Sequence, residues 1–108
     1  MSALYQISYQ GIAGTGHGAL YIGRGVVVGV DVAGGRYKGT YSDKMGAIAG
    51  SVKLTSSGAG LVTGQVVPAG TQVQITFDLP QNFANGVHKV VVAGQPVQVR
   101  FDKVDDIP

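Results

Sequence analysis

Residues 17–41 read HGALYIGRGVVVGVDVAGGRYKGTY, three short apolar runs separated only by glycine-rich corners. Runs this short, rich in valine and broken by glycine, cannot be helices. Gly23-Arg24-Gly25 and Ala33-Gly34-Gly35 supply the positive φ angles of tight hairpins, and the flanking valines and tyrosines suit a pleated, half-buried surface. The stretch is therefore an antiparallel meander, which the rest of the chain extends and closes.

Residues 4–10 alternate Tyr5, Ile7 and Tyr9 against Gln6, Ser8 and Gln10, a strand with one wet face. Gly11–Gly16 reads as a flexible corner, and Asp43-Lys44-Met45-Gly46 as a turn between strands at 36–42 and 47–55. Gly18, Gly29, Gly39 and Gly50 fall inside strands, where they allow the coiling that barrel closure demands. Residues 56–70, SSGAGLVTGQVVPAG, lack periodicity and form one long connection, with room for a helical turn or loose edge strand near 61–67. Alternation returns at 71–79; Pro80 ends that strand, Asn85-Gly86 marks a hairpin, and strands follow at 88–93 and 97–103.

The expectation is all-β: an eight-stranded antiparallel meander closing into a small lipocalin-like barrel, a single domain over residues 1–108. Its interior takes Tyr5, Ile7, Tyr9, Tyr37, Val73, Ile75, Phe77, Val97, Val99 and Phe101. Residues 26–30, VVVGV, are apolar at nearly every position, so both faces are expected to be covered. Val26, Val28 and Val30 are assigned inward and Val27 outward, either on a dimer face or under another part of the chain.

Composition narrows the function. Charged residues make up 13% of the chain, against roughly 25% for an average soluble domain. The eight basic residues are scattered, and the net charge is +2, which argues against nucleic-acid binding. Cysteine is absent, excluding disulfides and a thiol nucleophile and fitting a reducing compartment. With neither a signal-like start nor a run approaching the ~20 apolar residues of a membrane helix, a cytoplasmic location without membrane contact is expected.

No reaction chemistry stands out. Gly14-Thr15-Gly16-His17-Gly18 imitates a phosphate loop but precedes a strand and lacks Gly-Lys-Ser/Thr. His17 and His88, even with Asp31 or Asp78, have no metal-ligand spacing. Serine lacks a nucleophile elbow, and Asp31 with Asp78 sits at strand positions where solvated aspartates are routine. Neither an enzyme nor a metal or other cofactor is expected. The aromatic residues Tyr5, Tyr9, Tyr37, Tyr41, Phe77 and Phe101 either line a cavity for one small apolar ligand or simply fill the core.

The order LYQISYQ, GHGALYIGRGVVVGVD, RYKGTYSD and GAIAGSVKL, covering residues 4–54, resembles the GrlR-like family of small bacterial proteins, typified by a negative regulator of type III secretion. The resemblance implies a homodimeric, non-catalytic barrel that regulates by binding a protein partner. The typical regulator carries an acidic run in the loop that here reads Ser42-Asp43-Lys44-Met45, so Asp43 and Lys44 are the implied partner loop. A single aspartate beside a lysine implies little attraction for a basic partner.

Overall fold

The computed structural model describes residues 2–58 and 60–108; Met1 and Ala59, which the sequence reading placed in the domain and in the long connection, lie outside the described residues. Eight strands follow in chain order: β1 (Ser2–Gly11), β2 (Gly14–Gly23), β3 (Val26–Asp31), β4 (Arg36–Lys44), β5 (Ala47–Thr55), β6 (Gln72–Pro80), β7 (Gly86–Val92) and β8 (Gln95–Asp106). Each pairs antiparallel with the next, and β1 pairs with β8 to close the barrel. Closure joins the first strand to the last, so neither terminal strand of the meander is left as a free edge.

Turn chemistry sets the register. Arg24, Met45, Asn85 and Ala93 all take positive φ, and glycine follows each of them, as primed two-residue hairpin turns and their relatives favour. The β1–β2 corner is tighter than expected: the strands run on to Gly11 and Gly14, leaving only Ile12 and Ala13 between them. Residues 56–71 are irregular, held by turns such as Leu61 N–H to Gln65 O at 2.8 Å, with no helix or strand in the described part.

Coiling depends on inward-facing glycine. A Cβ on Gly39 would run into the Ser51 carbonyl, and one on Gly50 into the Thr40 carbonyl, so β4 and β5 approach more closely than any other residue type would permit. The seam between β6 and β7 is the shortest, with Ile75 opposite Val92 and Thr76 opposite Val91. Beyond it the two strands splay, and Phe83 of the intervening loop is fully buried in the core.

The interior includes every residue expected there, with Tyr9, Ile75 and Phe77 partly buried and the others buried. One assignment is reversed. Val27 is 2% exposed and points into the core, whereas Val28 is 47% exposed and Val26, Val30 and Val32 also face outward. Parity follows the pairing: Val27 lies opposite buried Ile22 and inward Gly39, and Val28 opposite outward Lys38. Val27 is therefore no dimer-face residue, and β3 is covered on one face only. An all-apolar strand carries no alternation from which to read its parity, and the neighbouring registers decide it.

Candidate functional site

The barrel interior is not completely filled. A cavity of about 120 Å³ lies toward the end where β1 finishes, walled by apolar side chains of all eight strands, among them Ile7, Leu20, Val52, Leu54, Ile75 and Val97. Tyr9, Tyr37, Phe77 and Phe101 line it as the sequence suggested. Tyr5 and Tyr41 do not: Tyr5 packs against Phe83 with ring centroids 5.1 Å apart and the planes tilted by 42°, and Tyr41 packs against the core without reaching the cavity wall. Both lie nearer the start of β1, where Phe83, edge-on to Phe101 at 5.2 Å, plugs the barrel.

The open end carries a polar cluster around Asp31, the last residue of β3. Its Oδ1 accepts from the backbone N–H groups of Ala33 (3.1 Å) and Gly35 (2.8 Å), an aspartate turn that shapes the β3–β4 hairpin. Its Oδ2 accepts from the hydroxyls of Tyr37 (2.7 Å) on β4 and Tyr9 (3.2 Å) on β1. Four donors thus fill the roughly four lone-pair sites of a carboxylate. Among the described residues the ion pairs are Arg100–Asp102 and Lys103–Asp106, so no cation neutralises Asp31. Burial and the bond to the carboxylate push the Tyr37 hydroxyl far above its ordinary range, and burial also raises that of Tyr9. Both stay protonated and donating at neutral pH.

The described residues of the segment 56–71 cover this end. Ser56 N–H bonds Thr71 O at 2.8 Å, Ser57 Oγ donates to Ala33 O at 2.6 Å, and Ala13 N–H bonds Val62 O at 2.7 Å. The segment therefore runs from β5 across the mouth to the β1–β2 corner, and Leu61 and Val62 face the cavity. Gly11 is required beneath it, because a Cβ there would collide with Val62 O.

The other candidates disperse. His17 is exposed, while His88 lies on β7 near the plug, its Nε2–H donating to Phe83 O at 3.1 Å. Asp78 faces outward on β6, away from inward-facing Asp31, so the two form no carboxylate pair. No group of three or more metal-ligating side chains occurs among the described residues. Asp43 and Lys44 are exposed at the end of β4, and Asp43 accepts a hydrogen bond from Gln81 Nε2.

Outside the barrel, Val26, Val28, Val30 and Val32 make an apolar row. Val28 lies opposite Lys38 and Val30 opposite Arg36, while Lys38 in turn faces Lys53 across β4 and β5. These three cations are exposed and unpaired among the described residues.

Sequence reasoning missed Phe83, the lid residues Leu61 and Val62, and Asp31 as the pole of the cavity. For Asp31 a signal existed: an aspartate two residues before Ala33-Gly34-Gly35 is a turn-capping pattern. For Phe83 and the lid none did, since both sit in aperiodic loops. No family model, curated protein or solved structure matches the chain.

Proposed function

We propose that this chain is a non-enzymatic regulatory protein that acts through a protein partner docked on the outer face of β3, β4 and β5. The observation that carries this reading is the valine row bordered by Arg36, Lys38 and Lys53. Exposed contiguous apolar surface is characteristic of interaction sites, and two lysines directly opposite each other on a sheet repel until an anion lies between them. The occupant is therefore an acidic protein surface presenting apolar side chains. The GrlR-like resemblance supports regulation by partner binding in a bacterial cytoplasm, as for the negative regulator of type III secretion. The polarity is opposite to the acidic loop of the typical member, so the partner differs in charge.

Two variants test this, Val28→Asp and the pair Lys38→Glu with Lys53→Glu, each first shown to melt with the wild type. Capture from the native host should retain an acidic protein on the wild type and lose it with both variants. Equal retention by all three overturns the proposal. So does sedimentation of the wild type as a dimer that Val28→Asp dissociates, which makes a second copy the occupant. Binding to anionic vesicles in place of a protein assigns the face to a membrane and overturns it too.

The cavity favours a second reading, a carrier or sensor of one small apolar molecule. An apolar concavity with a few convergent polar groups at one end is the usual form of a ligand pocket. Methyl NMR of the wild type titrated with toluene tests it: signals of Val52, Leu54, Ile75 and Val97 shift together if the cavity is accessible, and their constancy rejects the reading.

A further inference from the structure

The hydroxyl groups that border the cavity share one property. Tyr9 and Tyr37 each give their proton to Asp31 Oδ2, Ser57 gives its proton to Ala33 O, and Ser56 Oγ donates to Val67 O at 3.4 Å. A hydroxyl has one donor and two acceptor lone pairs, so a hydroxyl whose proton is committed elsewhere offers a ligand lone pairs only. Asp31 reinforces the bias: its own acceptor sites are taken, and its charge is uncompensated by any ion pair among the described residues.

We propose that the cavity binds a small apolar molecule bearing a hydrogen-bond-donating head, an alcohol, phenol or amine, and rejects molecules whose head only accepts or is anionic. The proposal rests on the carrier reading above and adds the ligand's chemistry to it. The body of the ligand lies among Leu20, Val52, Leu54, Ile75 and Val97, and the head donates to the oxygens of Tyr9 and Tyr37. A volume of about 120 Å³ suits a single six-membered ring, since an engineered apolar cavity of about 150 Å³ holds benzene. A ketone, ether or carboxylate at the same place meets no free hydroxyl proton, and a carboxylate also approaches the Asp31 charge in a poorly solvated site. The described residues of 56–71 beside the mouth are tied to the β3–β4 and β1–β2 corners by the bonds from Ser57 to Ala33 and from Ala13 to Val62.

Four probes of nearly equal size separate the outcomes on the wild-type chain: toluene, benzyl alcohol, its isomer anisole, and benzoate, each titrated while the methyl signals of Val52, Leu54, Ile75 and Val97 are followed. Benzyl alcohol should bind about fivefold tighter than anisole, the worth of one ordinary hydrogen bond, and benzoate should leave the signals unmoved. Replacing Tyr9, the less buried of the two acceptors, in Tyr9→Phe should narrow the ratio of alcohol to ether while toluene binding persists. Anisole or benzoate binding as tightly as benzyl alcohol overturns the donor requirement and leaves the carrier reading intact. Failure of all four, toluene included, overturns the carrier reading and this proposal with it.

Discussion

The two ends of the barrel are closed by different chemistry. Where β1 begins, Phe83 is buried against Tyr5 and Phe101, and closure is a matter of ring packing. Where β1 finishes, a carboxylate gathers two tyrosine hydroxyls and two backbone amides, and an irregular segment lies across the mouth. Apolar packing is non-directional and spread over many contacts, so the plug end opens only when the fold does. Directional bonds few in number can break locally while the sheet stays intact, which is why the cavity and the lid belong together. One end is held by ring packing and the other by a few directional bonds.

The largest effect should come from the plug end. Phe83→Ala removes a fully buried ring from a three-ring cluster and leaves a void where β6 and β7 splay; a loss of about 3–5 kcal/mol is expected in urea unfolding. A loss below about 1 kcal/mol would mean that the loop is not a plug and that the contrast between the ends is unreal.

At the other end, Tyr37→Phe should cost about 1.5–3 kcal/mol, the range for a hydrogen bond to a charged group, because Asp31 Oδ2 is left with the longer bond from Tyr9 alone. The same residue governs alkaline stability. Its folded pKa is raised, chiefly by burial and then by the Asp31 bond, so above the unfolded value near 10 the unfolded chain releases a proton that the folded chain keeps. Stability is therefore complete below about pH 10 and falls as pH rises beyond it. Tyr9 and Tyr5, raised in the same direction, add to the slope. Urea midpoints at pH 8 and pH 11 should differ strongly in the wild type and much less in Tyr37→Phe. An equal fall in both would show that another group carries the alkaline transition.

This contrast between the ends was only half legible in the sequence. Alternation at 71–79 and 97–103 reveals which side chains fill the barrel, and the glycines at 39 and 50 reveal the coiling, because period-two patterning and missing side chains are local properties. The parity of Val26–Val30 is not local, since each position is apolar, and the register against Ile22 and Lys38 had to supply it. The meeting of Tyr9, Asp31 and Tyr37 depends on three strands coming together, and the burial of Phe83 on how far β6 and β7 diverge. No spacing along the chain encodes either.

Val62→Ala trims a partly buried side chain that packs beside Gly11, and about 1 kcal/mol or less is expected in global stability. Hydrogen exchange should respond more: the Ala13 amide, which donates to Val62 O, should exchange faster while the core amides of β5 are unchanged. Uniform acceleration across the sheet would indicate that the lid is part of the cooperative core, and the two ends would then not differ in local stability.

The smallest effect belongs to Asp43, which lies on the plug side of the molecule and ties the end of β4 to Gln81. Both partners are exposed, water competes for the bond, and an asparagine at the same place keeps an oxygen that can accept from Gln81. Asp43→Asn should therefore change stability by no more than about 0.5 kcal/mol, as is usual for surface positions. The same variant separates structure from recognition at this loop. One carboxylate next to Lys44 gives a basic partner little to steer by, so binding to an activator of the type III kind should be weak in the wild type and insensitive to the change. Should such a complex instead form tightly and weaken on Asp43→Asn at unchanged stability, the loop at 42–46 would be a handle in its own right. The plug end would then carry recognition as well as closure.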